Sequence, residues 1–217
     1  MSDIPIIWLP PDFTGPFPNP RLALVEPNGL LAAGGNLEPD TLLQAYRQGI
    51  FPWYSHNQPI LWWSPNPRCV FFPDAFHVSR SFRRTLNKQP FEIRHNTAFR
   101  QVMLECAAPR KEEKGTWITD DMLEAYCKLH ALGHAHSIEC WREGKLVGGV
   151  YGILMNHVFF GESMFSRVKD ASKVALHHIC TQMGIHLLDA QVYSPHLETL
   201  GARNIERDDF LRLLTER

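Results

Sequence analysis

From His136 to Tyr193 the spacing of apolar and polar positions changes period more than once. HSIECWR (136–142) alternates as a half-buried strand does, and Glu143-Gly144 follows as a turn. KLVGGVYGILM (145–155) reads as a second strand, Asn156-His157 turns the chain, and VFFG (158–161) begins a third. On this reading Glu162 stands where that strand ends. At DASKVALHHICTQMGI the spacing becomes helical, with Ala171, Val174, Ala175, His178 and Ile179 on one face. HLLDAQVY returns to strand spacing, and PHLETLGA is a short helix begun by Pro195 and ended by Gly201. A meander followed by helix, strand and helix predicts an α+β fold with a mixed sheet.

The first part of the chain is punctuated by Pro5, Pro10, Pro11, Pro16, Pro18, Pro20 and Pro27, which confine regular structure there to short pieces. A helix is expected from Pro39-Asp40 to Gly49, with Leu42, Leu43 and Tyr46 as its apolar positions. Trp53, Trp62 and Trp63 follow, and SPNPR reads as an extended break because each proline biases its predecessor away from helix. The expected organisation is therefore a small N-terminal domain, residues 1–66, and a larger one, residues 67–217. In HVSRSFRRTLNK, Arg80, Arg83, Arg84 and Lys88 share one face of a helix that Ser79 can cap, while Phe82 and Leu86 lie on another. A stripe of one sign repels itself unless an anion is expected, and phosphate contacts need such an array.

The stripe matters because the chain as a whole is balanced, with 22 Lys and Arg against 23 Asp and Glu in 217 residues. Its overall charge exerts no pull on a polyanion. A hydrophobic share of 44% is ordinary for a folded domain. Five scattered cysteines without a CxxC pair fit a reduced compartment and neither a disulfide framework nor a zinc ribbon. The opening MSDIPIIWLPPDF lacks a basic n-region, and no apolar run is long enough to span a bilayer, so a cytoplasmic protein is expected.

Phosphate-cradling loops of the GxxxxGK[ST] or GxGxxG kind are missing, as is a GxSxG elbow. His130 and His134 have a chelating spacing, but Gly133 between them ends the helix, so no metal is expected. Asp189 and Gln191 are two apart on a strand with apolar flanks. Either they satisfy each other as a buried pair, or the carboxylate fixes the carboxamide so that its carbonyl can orient a nucleophile.

The stretches EPNGLLAAGGNL, YRQGIFPWYS, PILWWSPNPR, HVSRSFRR, GTWIT, LVGGVYG, GESMFSR, ASKVAL and DAQV together resemble one family, the leucyl/phenylalanyl-tRNA–protein transferases. They extend from about Glu26 to Phe210. The resemblance implies a larger domain similar to the GNAT acyltransferase fold. Coenzyme A is not implied, because SRVKDAS lacks the glycines of a pyrophosphate loop, and no cofactor is expected. It implies transfer of leucine or phenylalanine, and methionine less well, from aminoacyl-tRNA to the α-amine of proteins beginning with arginine or lysine. The product would carry an N-terminal degradation signal.

By the same resemblance Asp189 orients Gln191, Gln191 aligns amine and ester, and Glu162 faces the cationic acceptor. Trp53, Trp117, Val150, Phe159, Met164 and Ile179 receive the donor side chain, and Arg80, Arg83, Arg84 and Lys88 hold the tRNA acceptor stem, in a monomer. Val150 and Ile179 stand where relatives often carry Met and Phe, and Ser194 and Thr199 where they often carry Asn and Ser, which bears on donor preference. Two readings compete: an acyltransferase of the same fold with another donor, and an adaptor that binds basic N-termini without turnover.

Overall fold

The short apolar runs between the early prolines do find partners. In the computed structural model, which describes residues 6–108 and 118–215, Ile7–Leu9 (β1) runs parallel to Leu30–Gly34 (β2). After the helix Pro39–Arg47 (α1), Phe51–Pro52 (β3) and Leu61–Trp63 (β4) complete a four-stranded sheet in the order β1-β2-β4-β3. Pro39 sits in the first turn of α1, and the expected face, Leu42, Leu43 and Tyr46, is buried.

Arg68–Phe71 (β5) begins a second sheet. The basic helix Arg80–Lys88 (α2) comes next, capped by Ser79 through the Phe82 amide. Then come Glu92–His95 (β6), Phe99–Ala107 (α3), Asp120–Ala131 (α4) and the expected meander: Ala135–Arg142 (β7), Lys145–Met155 (β8) and Val158–Ser166 (β9). Ala171–Gln182 (α5), Leu187–Gln191 (β10), Pro195–Glu198 (α6), Arg203–Ile205 (β11) and Arg207–Leu213 (α7) complete the chain. The seven strands lie in the order β11-β5-β10-β9-β8-β7-β6, antiparallel except for β9 and β10, so the sheet is mixed as expected.

The sheets change over between Trp63 and Arg68, close to the expected domain boundary, but the apolar core does not. Leu42, Tyr46 and Trp62 belong to one buried cluster with Tyr126, Tyr151, Phe160 and Phe210, against the sheet face that α3 and α4 cover. The opposite face packs α5, through Ala171, Ala175 and Ile179, against Ile138, Val150, Phe159 and Leu188.

One expectation is corrected here. The third strand does not stop at Gly161; β9 continues to Ser166, and Glu162 lies within it as a β-bulge. Tyr151 and Gly152 of β8 pair with Ser163 and Gly161, leaving Glu162 unpartnered on β8. The extra residue shifts the alternation by one: Phe160 joins one core cluster, and Met164, four residues on, packs against the other. Gly152 opposes the bulge because a Cβ there would run into the Phe160 carbonyl oxygen and the Phe159 ring. Gly152→Ala is therefore expected to lower the thermal midpoint by roughly 4 °C or more; an unchanged midpoint in a melting curve would refute this tight approach.

Candidate active site

Strands β9 and β10 pair only over Val158–Phe160 and Leu187–Asp189. Beyond that point they part, and each carries a bulge at the parting. On β10, Asp189 opposes Val70 and Gln191 opposes Cys69, so Ala190 is the extra residue and Gln191 takes φ 63°. Glu162 and Gln191 meet across the gap: Gln191 Nε2 donates to Glu162 Oε1 at 2.8 Å. Both line a cleft of about 1180 Å³ whose other wall comes from the smaller sheet and its loops, including Trp53, Tyr54 and Trp63.

Asp189 is fully buried, and its partner is one that sequence reasoning missed. Arg68 donates to it in bidentate fashion, Nε to Oδ1 at 2.8 Å and Nη2 to Oδ2 at 2.6 Å. Arg68 also donates to the Gly49 carbonyl at 3.1 Å and lies between the Phe51 and Phe210 rings. Asp189 does hold Gln191, though not through the carboxamide, as alternation suggested. Its Oδ1 accepts from the Gln191 backbone N–H at 2.9 Å, and the bulge turns the side chain away toward Glu162.

Glu162 is caged by hydroxyls. Tyr46 donates to Oε1 at 2.7 Å and Tyr126 to Oε2 at 3.2 Å, and the two hydroxyls also touch each other. Two hydroxyl protons cannot serve three contacts around an ionised carboxylate. A proton on Oε2 would supply the third by reversing the Tyr126 bond: Glu162 would then donate to Tyr126, Tyr126 to Tyr46, and Tyr46 to Oε1. Burial pushes the Glu162 carboxyl up to about 7, with the Asp189 charge adding to the rise and bonds from Tyr46, Tyr126 and Gln191 opposing it. Tyr46 reads from sequence as an apolar position of α1, and Tyr126, in α4, carries no sequence signal of a site. Only their hydroxyls mark them as part of a site.

Trp53 lines the cleft and is partly exposed, whereas Val150, Phe159 and Ile179 are buried in the α5-side cluster with Met164 packed against it. Trp117 lies outside the described residues. Arg80, Arg83, Arg84 and Lys88 are all exposed, and none takes part in an ion pair among the described residues. Before α5, Asp170 accepts from Thr85 Oγ1 at 2.9 Å and pairs with Lys173 at 3.4 Å. Among the described residues no three His, Cys, Asp or Glu side chains converge as metal ligands, and no helix is long and apolar enough to cross a membrane.

Comparison with known proteins agrees over nearly the whole chain. Residues 70–215 match the family model described as leucyl/phenylalanyl-tRNA protein transferase, and residues 35–66 match that of its N-terminal domain. Leucyl/phenylalanyl-tRNA–protein transferase of Shewanella baltica (strain OS155) is 55% identical over 203 residues, 92% of this chain and 86% of that one. Its counterpart in Nitrosomonas europaea is 52% identical over 204 residues, 93% and 86% of the two chains. Among solved structures, L-PGS from Bacillus licheniformis superposes with a TM-score of 0.40 at 13% identity, covering 76% of this chain and 53% of that one. The chain is an aminoacyltransferase and belongs to the leucyl/phenylalanyl-tRNA–protein transferase family.

The Arg68–Asp189 pair generates a stability prediction. Arg68→Ala leaves a buried carboxylate unpaired and is expected to cost about 3–5 kcal/mol in urea unfolding. Replacing both members with apolar residues of similar volume should recover most of that loss. A single variant as stable as the parent would show that the pair does not hold the strands.

Proposed function

We propose that the chain moves leucine or phenylalanine, and methionine less well, from aminoacyl-tRNA to the α-amine of proteins beginning with arginine or lysine. The observation that carries this is the Glu162–Gln191 link. With its nitrogen tied to Glu162, the Gln191 carboxamide leaves its oxygen, which has no hydrogen-bond partner among the described residues, to accept from the incoming amine. Asp189 acts one step back, as a positioning residue that holds the Gln191 backbone in its bulge. Glu162 takes the proton. A carboxyl that titrates near 7 is matched to an α-amine of pKa near 7.7–8.0, and an arriving cation favours its ionised form.

The reaction needs no activation, because the donor is already an ester. The neutral amine attacks the ester carbonyl, the amide bond forms, and the ester C–O bond breaks. The proton given up by nitrogen returns to the tRNA hydroxyl, with Glu162 as the intermediate holder. Most of the rate then comes from positioning. The donor side chain enters where β9 and β10 part, toward the cluster of Val150, Phe159, Met164 and Ile179, with Trp53 toward the opening; Trp117, outside the described residues, is assigned to the same pocket by the family resemblance alone. Met164 adapts to Leu, Phe and Met. Arg80, Arg83, Arg84 and Lys88 on α2 hold the acceptor stem, and the unpaired state of their charges supports this. The order strand–strand–strand–helix–strand supports a GNAT-like larger domain beside a small N-terminal one, residues 1–66, in a cytoplasmic enzyme that works without cofactor on a product marked for degradation.

Transfer of labelled leucine from leucyl-tRNA to a peptide beginning with arginine, against one beginning with glutamate, tests the reading directly. Label should enter the arginine peptide alone; binding of that peptide without transfer would leave only an adaptor. In the same assay Glu162→Gln should lower turnover by roughly 10²-fold or more. Wild-type turnover should rise with pH through about 7, as Glu162 ionises, and the variant should keep only the later rise of the acceptor amine. A wild-type profile without that lower inflection would remove Glu162 as the base. Replacing Arg83 and Lys88 with alanine should reduce the slope of log affinity for tRNA against log salt by ~0.7–0.9 for each phosphate no longer neutralised. An unaltered slope would place the RNA elsewhere.

A further inference from the structure

Trp53 and Trp63 border two cavities at once. Their ring centroids are 5.8 Å apart, and Trp63 Nε1 donates to the Trp53 carbonyl oxygen at 2.7 Å, so the pair is fixed. On one side is the reacting cleft. On the other is an annex of about 320 Å³, whose lining includes Asn28, Trp53, Trp63, Val192, Tyr193 and Asn204. The tryptophans, Val192 and Tyr193 line both, so the annex adjoins the cleft that holds Glu162 and Gln191.

We infer that the annex is a subsite for the second residue of the acceptor polypeptide, and that it selects an apolar or aromatic side chain there. This rests on the reaction proposed above. Val192 and Tyr193 directly follow Gln191, and an extended chain advances roughly 3.3–3.6 Å per residue. An acceptor whose α-amine is held at Gln191 therefore reaches the annex with its next residue. The volume lies at the small end of ligand-sized cavities, ~300–1,000 Å³, which suits one side chain and the backbone beside it.

The chemistry of the walls points the same way. Val192, Tyr193 and Trp53 are large apolar residues exposed by 47%, 43% and 43%, grouped at one opening. The Tyr193 hydroxyl donates to Glu198 at 2.6 Å, which holds the ring in place. No Lys, Arg, Asp or Glu lines the annex. A ribose–phosphate chain would call for cations, and a second basic residue for an anion. Two carboxamides supply the polar contacts that an extended backbone needs. Asn28 Oδ1 accepts from the Asn66 amide at 3.1 Å, leaving its Nδ2 available, and the Asn204 side chain has no hydrogen bond among the described residues.

The test measures binding and transfer in parallel, with peptides Arg-Xaa-Gly-Ser in which Xaa is Phe, Leu, Ser or Asp. Fluorescence anisotropy gives affinities, and labelled leucyl-tRNA gives kcat/KM. Wild type should favour Phe and Leu over Asp by roughly tenfold. Asn204→Phe, which fills the annex from an exposed position, should bring the series within about twofold. Val192→Lys should reverse the order in favour of Asp, a change that misfolding does not produce. Equal affinities across the series in wild type, or an apolar preference kept in Val192→Lys, would overturn the subsite. So would a raised KM for leucyl-tRNA in Asn204→Phe with peptide discrimination intact, because the annex would then belong to the RNA. Discrimination in binding without transfer to any peptide would instead sink the reaction and keep the subsite.

Discussion

Two charges with almost no access to water, Arg68 and Asp189, hold the larger sheet to everything around it. Such a pair is costly to bury, several kcal/mol per ion before pairing, and hydrocarbon of the same volume often does as well. What hydrocarbon lacks is direction. The guanidinium fork fixes both oxygens of Asp189, and one of them fixes the Gln191 N–H, so the bulge on β10 has one geometry. The same guanidinium reaches the Gly49 carbonyl at the end of α1 and sits between rings from β3 and α7. Three separate stretches of chain, around Gly49–Phe51, Asp189 and Phe210, thus converge on one side chain, and the reactive carboxamide is oriented by their agreement.

The opposite half of the site is soft where this one is rigid. Glu162 carries no buried cation; it is held by neutral donors, and its proton inventory is complete when it is itself neutral. The arrangement separates two carboxylates chemically although both are buried. Asp189 is held by the bidentate Arg68 guanidinium and serves the structure of the bulge. Glu162 has only neutral donors around it, and burial pushes its carboxyl up to about 7. Strands that pair for only three residues and then part bring both groups to Gln191, whose backbone N–H donates to Asp189 and whose side chain donates to Glu162.

Alternation exposed most of this sheet in the sequence, and the bulges mark where it failed. β7, β8, α5 and α6 fall close to where period and punctuation put them, because long runs of one period leave little choice. A bulge inserts one residue without changing composition, so nothing in GESMFS reveals that Glu162 has no partner strand residue, and nothing in LLDAQVY reveals that Gln191 has turned its face. Arg68 was hidden differently. It closes SPNPR, which reads as a break, yet it opens the apolar run RCVFF, and a lone cation at the edge of a buried strand calls for a buried anion. Tyr46 and Tyr126 carry no warning, since tyrosine at helical spacing is usually core. Strands of three or four residues, such as β6 and β11, are defined by their neighbours more than by their own sequence.

The hydroxyl cage is assembled across the boundary between the two matched segments, Tyr46 from residues 35–66 and Tyr126 with Glu162 from residues 70–215. Evolution therefore cannot tune the two segments separately. A change on α1 that moves one phenol alters the proton affinity of a carboxylate more than a hundred positions later in the chain. The joint between the segments is therefore one chemical unit, built from side chains that neither segment supplies alone.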